Sequence, residues 1–173
     1  MDRQKRLLFL WGGTVLFILV CLDQLTKAMA VAHLKNTPGI DLITGVLRLE
    51  YLENRGAAFG IFQNQQWISL FLAAVFLIAA LVFWVRMPAI PRMLPLRLIT
   101  VVLAAGAIGN MIDRVVHSYV VDFIYFCLID FPIFNVADIY VTCSCVLALL
   151  LVFFYYKDEE FDFLFDREKG KTP

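Results

Sequence analysis

The sequence predicts a membrane protein of the all-α class, with four transmembrane helices and a small β element lying on one membrane surface. Two observations carry this prediction. The chain has four long apolar stretches, and its 173 residues are 61% hydrophobic with a mean hydropathy of +0.78. In the longest interval between those stretches, Leu47, Leu49 and Tyr51 alternate with Arg48 and Glu50, the period of a half-buried strand. A chain of this length is expected to form one polytopic domain, 1–173, with no room for a second.

The first span is expected at about 7–28. Its start imitates a secretory signal: Arg3, Lys5 and Arg6 precede the apolar run Leu7–Leu22, and Ala28-Met29-Ala30 has the form of a cleavage site. Asp23, Gln24 and Lys27 interrupt the approach to that site and three further spans follow, so the segment is expected to remain as an uncleaved helix. Gly12-Gly13 would allow close helix contact. Asp23 and Lys27, four apart, share one face near the far end of this span. They read either as an ion pair easing two charges into the interface or as support for a polar site.

Residues 34–66 form the only long non-membrane stretch besides the tail. Thr37-Pro38-Gly39 marks a turn before the alternating strand. Glu53-Asn54-Arg55-Gly56-Ala57-Ala58-Phe59-Gly60 then reads either as a Gly-rich turn or as a flap whose backbone approaches a ligand, which Gly56 would permit. The second span is expected at 67–85, with Trp67 as an interfacial anchor. Pro88, Pro91 and Pro95 exclude a continuous helix across the next loop. The third span is expected at 98–114, where Gly106, Asn110, Asp113 and Arg114 follow helical spacing and would share a face. The fourth is expected at 135–156, followed by a charged and aromatic tail, 157–173.

Charge and cysteine usage narrow the function classes. Net charge is zero, so no basic field points to a nucleic-acid partner. Cys21, Cys127, Cys143 and Cys145 have no metal or redox spacing, and His33 and His117 lie far apart in sequence. Neither a disulfide framework nor a metal site is expected. Basic residues concentrate at the N-terminus (Arg3, Lys5, Arg6), in the 86–97 loop (Arg86, Arg92, Arg97) and in the tail (Lys157, Arg167, Lys169, Lys171). The positive-inside rule then places both termini in the cytoplasm.

The polar residues gather at one depth. Ile139–Tyr156 spans roughly 27 Å as a helix, which nearly fills the hydrocarbon core, so Asp138 must lie at the outer end of its span. The same reckoning brings Asp23, Lys27, Asn110, Asp113 and Arg114 to that level, with Asn54 and Asp122 in the adjoining loops. A transporter would more often place its site near the midplane, with internal repeats, and neither is visible. Two carboxylates, Asp122 and Asp138, at an interface and without a metal motif suggest aspartic-protease chemistry, in which a dyad shares one proton. Bland readings stand beside this one. Asn135 and Asp138 could simply form a capping box, Asp122 could be a solvated loop residue, and Asp113 could pair with Arg114 or another neighbour.

Five motifs occur in order: Asp23-Gln24-x-x-Lys27, Asn54-Arg55-Gly56-Ala57-Ala58-Phe59-Gly60, Gly106 through Arg114, Val121-Asp122-Phe123, and Phe134-Asn135-Val136-Ala137-Asp138. Together they resemble the bacterial lipoprotein signal peptidase (signal peptidase II) family, from the first span to the fourth. Ala105 departs from the second glycine common there, and the tail matches no family motif. The resemblance implies an aspartic endopeptidase of the inner membrane that needs no cofactor. It would act on prolipoproteins within membrane lipid, cutting before a diacylglyceryl-modified cysteine. It makes Asp122 and Asp138 the catalytic pair, with Asp23, Lys27, Asn54, Gly56, Asn110, Asp113, Arg114 and Asn135 binding substrate or supporting the site. It also implies a small β-sheet on the outer face, here near Val46–Leu52, and a short flap helix near Gly56–Phe62. The competing reading is a non-catalytic lipid or precursor carrier that uses the same cleft.

Overall fold

A computed structural model describes residues 3–56 and 66–164. Four helices, α1 (Arg3–Leu34), α2 (Gln66–Arg86), α3 (Leu94–His117) and α4 (Val136–Phe154), are each long and apolar enough to cross a membrane. Their outward residues are large and apolar, among them Phe17, Phe71 and Phe153, because lipid rather than water is the surrounding solvent. The third helix is the hub and packs against the other three. Small residues permit its closest approaches. A Cβ at Gly106 would lie 2.6 Å from the Ala137 carbonyl oxygen and 2.8 Å from Val141, so α4 can sit directly on α3 only if that position is glycine.

Beside the helix ends lies a three-stranded antiparallel sheet of β1 (Ile40–Ile43), β2 (Leu47–Asn54) and β3 (Val120–Phe126), in that spatial order. The register sets Leu52 opposite Asp122 and Asn54 opposite Val120, so Asn54 and Asp122 are diagonal neighbours on one face. Buried Val121 and Phe123 project against Ala30 and Leu34 of α1, which fastens the sheet to the bundle. Beyond β3 the chain returns to pair with it. Phe134 N donates to Ile124 O, while Phe123 N and Ile124 N donate to Phe134 O. Asn135, the next residue, is thereby held beside the strand that carries Asp122.

Several boundaries differ from the sequence expectation. The first helix continues to Leu34 rather than ending near Ala28, so Lys27 lies about two turns inside it. The third begins at Leu94 rather than near Leu98. Pro95 falls in its first turn, where a missing N–H breaks no helical bond. The small sheet is present as expected, with β1 and β3 joining the one strand located in the sequence; β3 was obscured because Asp122 interrupts its apolar run. Residues Asp158–Leu164 form a 3-10 segment in which Arg92 pairs with Glu160 at 2.9 Å, Phe163 packs on Phe83, and Phe161 packs on Tyr156. Of the flap anticipated near Gly56–Phe62, only Gly56 belongs to the described residues.

Candidate active site

The start of α4 organises the polar cluster. Asn135 is its N-cap: the Asn135 side chain accepts from Asp138 N at 3.0 Å, and Asp138 Oδ2 accepts from Asn135 N at 3.1 Å, a complete capping box. The bland reading of this pair is therefore correct as local structure, but it leaves half of each side chain over. Asn135 Nδ2 donates to Asp122 Oδ1 at 2.6 Å and to Asn110 Oδ1 at 3.1 Å. Asp138 Oδ1 accepts from Asn110 Nδ2 at 2.8 Å. The remaining oxygen of Asp122, Oδ2, accepts from Asn54 Nδ2 at 2.8 Å, and Asn54 Oδ1 in turn accepts from Gly56 N at 3.0 Å. Three asparagines from β2, α3 and the α4 cap thus hold two carboxylates on one network.

Below this layer sits a buried charge triad. Lys27 Nζ donates to Asp23 Oδ2 at 2.9 Å, Asp113 Oδ2 at 3.1 Å and Asn110 Oδ1 at 3.0 Å, which uses all three of its N–H groups. Lys27, Asp23 and Asp113 are each almost completely buried. The carboxylates reach further than the triad. Asp23 Oδ1 accepts from Ala137 N at 2.9 Å, satisfying an otherwise free donor in the first turn of α4. Asp113 Oδ2 accepts from Val121 N at 3.0 Å, next to Asp122. Each therefore pins one of the two segments that present Asp122 and Asp138. The i,i+4 pair of Asp23 and Lys27 exists, but deep within the protein rather than at the lipid interface.

Helical spacing put Gly106, Asn110, Asp113 and Arg114 on one face, and the packing divides that face. Gly106 meets α4, Asp113 turns toward α1 and β3, and Asn110 with Arg114 lines the cavity. Arg114 does not pair with Asp113. Its guanidinium donates to Asn110 O at 3.2 Å and makes no carboxylate ion pair among the described residues. Two residues of the cluster escaped selection from sequence. Gln24 Nε2 donates to Asp23, to the Gly109 carbonyl and to Asp113 at 3.2, 3.2 and 2.9 Å. Gly109 itself lets the Asp23 carboxylate approach α3, since a Cβ there would stand 3.0 Å from Asp23 Cγ. The available signal was a glutamine, a poor choice for lipid contact, directly beside Asp23.

The two carboxylates border a cavity of about 480 Å3 whose polar wall is Asn54, Asn110, Arg114, Asp122 and Asp138. Its other wall is apolar: Phe131, Ile133 and Phe134 from the loop, then Ile139 and Val141 along α4. A ligand here would meet carboxylates at one end and lipid-like surface along its length. Asp122 is 1% exposed, and burial raises its pKa from 3.8 to about 6. The charge of Asp138 pushes the same way, while the bonds from Asn54 and Asn135 and the more distant Lys27 oppose the rise without cancelling it. Among the described residues no group of three or more His, Cys, Asp or Glu is arranged to hold a metal ion.

Comparison with known proteins gives consistent results. A family model described as signal peptidase (SPase) II matches residues 15–154. A lipoprotein signal peptidase of Brevibacillus brevis is 39% identical over 144 residues, covering 83% of this chain and 95% of that protein. One from Streptococcus pyogenes serotype M1 is 37% identical over 146 residues, covering 84% and 93%. Two solved structures, each described as a bacterial membrane enzyme, align with TM-scores of 0.72 and 0.71 at 31% and 30% identity. They cover 85% and 84% of this chain, and 92% and 94% of their own.

Proposed function

The chain belongs to the signal peptidase II family, and from this premise we propose that it is an aspartic endopeptidase that removes signal peptides from prolipoproteins. Asp122 and Asp138 are the catalytic pair, and the cut falls just before a diacylglyceryl-modified cysteine. The observation that carries the reading is the shared amide of Asn135. It donates to Asp122 while its own cap fixes Asp138, so the two carboxyl groups are oriented by one residue.

The roles follow from the two environments. Asp138 stands in the first turn of α4, where the helix dipole favours an anion and Asn135 N donates to its carboxylate. It takes a proton from the attacking water. Asp122, with its raised pKa, keeps the shared proton and donates it to the carbonyl oxygen of the scissile peptide. Water adds to the carbonyl carbon. The protonated Asp138 then returns its proton to the departing amide nitrogen, the C–N bond breaks, and Asp122 recovers a proton from the new carboxyl. Because the carboxylates interact, the ionisations belong to the pair. Asn54 lines the cavity from the β2 side with Gly56 N bonded to its side chain, and Lys27, Asp23 and Asp113 hold the frame.

The basic residues at the N-terminus, in the 86–97 loop and in the tail support an inner-membrane orientation with both termini cytoplasmic and the cavity outside. Water then reaches the pair from the outer side while the apolar anchors of the substrate stay in lipid. The test is direct: purified protein in detergent is incubated with a diacylglyceryl-modified precursor and the products are weighed by mass spectrometry. A fragment beginning at the modified cysteine supports the proposal. A precursor that is bound and recovered intact supports a carrier instead.

A further inference from the structure

A second opening lies between α1, α2 and α3, toward the end of the bundle opposite the carboxylates. It is a groove of about 300 Å3, walled by apolar side chains such as Leu16, Leu77, Leu81 and Ile108. It follows each helix for about 12 Å. Its α1 wall includes bare backbone at Gly12 and Gly13. A Cβ at Gly13 would meet nothing within 4 Å, whereas one at Gly12 would press on the Trp84 ring at 2.7 Å. Past Phe9 and Trp84, the groove adjoins a small hollow of about 10 Å3 bordered by Lys5 and Arg97.

Arg97 is 3% exposed. It donates to the carbonyls of Met87, Pro88 and Trp84 at 2.6, 3.3 and 3.4 Å, and its guanidinium stands 4.8 Å from the Trp84 ring. Among the described residues its Nε has no acceptor, and neither Arg97 nor Lys5 pairs with a carboxylate. Carbonyls at the end of α2 satisfy donors and supply a partial negative charge, but they do not neutralise a cation. A buried cation without a counter-ion is costly, most of all beside hydrocarbon.

We propose that the groove holds one acyl chain of an anionic phospholipid, whose phosphate rests at the mouth of the hollow against Lys5 with Arg97 behind it. The apolar wall calls for a chain, which a free phosphate lacks. The two basic residues call for a net negative head, and a zwitterionic lipid brings its own cation beside the phosphate. The hollow is too small to admit a phosphate, so the anion approaches from the side of exposed Lys5. This site is separate from the carboxylate cavity, and its occupancy does not depend on the reaction proposed there.

Trp84 lines both the groove and the hollow, so its fluorescence reports occupancy. The full chain carrying Trp11→Phe and Trp67→Phe retains Trp84 as its single tryptophan. In detergent micelles it is titrated with phosphatidylglycerol or phosphatidylcholine brominated on the acyl chain. Trp84 is expected to be quenched at a mole fraction of phosphatidylglycerol roughly fivefold below that of phosphatidylcholine, the effect of one basic residue facing an anionic head. Lys5→Gln, on the exposed surface, should remove most of that preference. Gly13→Leu should fill the groove and abolish quenching by both lipids over that range, with helicity by circular dichroism unchanged. Equal quenching by the two lipids would overturn the proposal, as would quenching that Gly13→Leu leaves intact. Should Gly13→Leu fail to fold, Lys5→Gln decides: an unchanged preference overturns it.

Discussion

Asp122→Asn is expected to change how stability depends on pH. The carboxyl of Asp122 titrates at about 6 in the folded protein, against 3.8 for an unperturbed aspartate. Below 3.8 the group is protonated in both folded and unfolded chains, and its burial carries no ionic penalty. Between those values the folded protein keeps the proton that the unfolded chain releases. Above about 6 both are ionised, and the fold bears the full cost of the buried charge. A shift of about two pH units, at about 1.4 kcal/mol per unit, means that the wild type loses about 3 kcal/mol as pH rises through this window. Asparagine does not titrate and loses nothing there. It does bring a cost of its own: its NH2 must face the amide of either Asn54 or Asn135, now 2.8 and 2.6 Å away, a mismatch of about 1–3 kcal/mol. That cost is the same at every pH, so it cancels when the two pH profiles are compared. Thermal unfolding of both proteins in the same detergent at pH 4, 5, 6 and 7 should show the variant gaining on the wild type by roughly 5–10 °C between the extremes, since part of the window lies below pH 4. Parallel profiles would refute the assignment of a strained, proton-holding carboxyl to Asp122.

Two further outcomes follow from the network. Lys27→Met leaves Asp23 and Asp113 buried without their cation and should cost about 3–5 kcal/mol, part of which Asp113→Asn on the same background recovers; thermal unfolding measures both. At pH 5, below the Asp122 pKa of about 6, infrared difference spectra should show a protonated-carboxyl band that is lost in Asp122→Asn and kept in Asp138→Asn; the reverse pattern would exchange the roles of base and acid.

The legible parts of this protein were those with a long period or a high cost. Four apolar runs specify four helices whatever they pack against, and charged residues such as Asp23 and Lys27 within such runs demand partners. The capping relation of Asn135 and Asp138 could be read at a spacing of three because it is local. The sheet was only partly visible. β1 is four residues long, and β3 reads Val-Val-Asp-Phe-Ile-Tyr-Phe, where the residue of interest breaks the alternation. The end of α1 was misplaced because charges at Asp23 and Lys27 look like a membrane boundary when their buried partners on α3 are unknown. Nor could spacing show that Ala137 N and Val121 N, two backbone groups, are where the triad takes hold. Those bonds join residues distant in the chain, and only tertiary structure brings them together.

The central claim is that Asp122 and Asp138 act together on a scissile peptide. Single-turnover cleavage of a diacylglyceryl-modified precursor by wild type, Asp122→Asn and Asp138→Asn, each checked for folding in the same detergent, tests it most directly. The account predicts that both variants bind the precursor but cleave it about 10²–10⁴ times more slowly, because each lacks one half of the proton exchange. A folded variant of either residue that cleaves at the wild-type rate would contradict it.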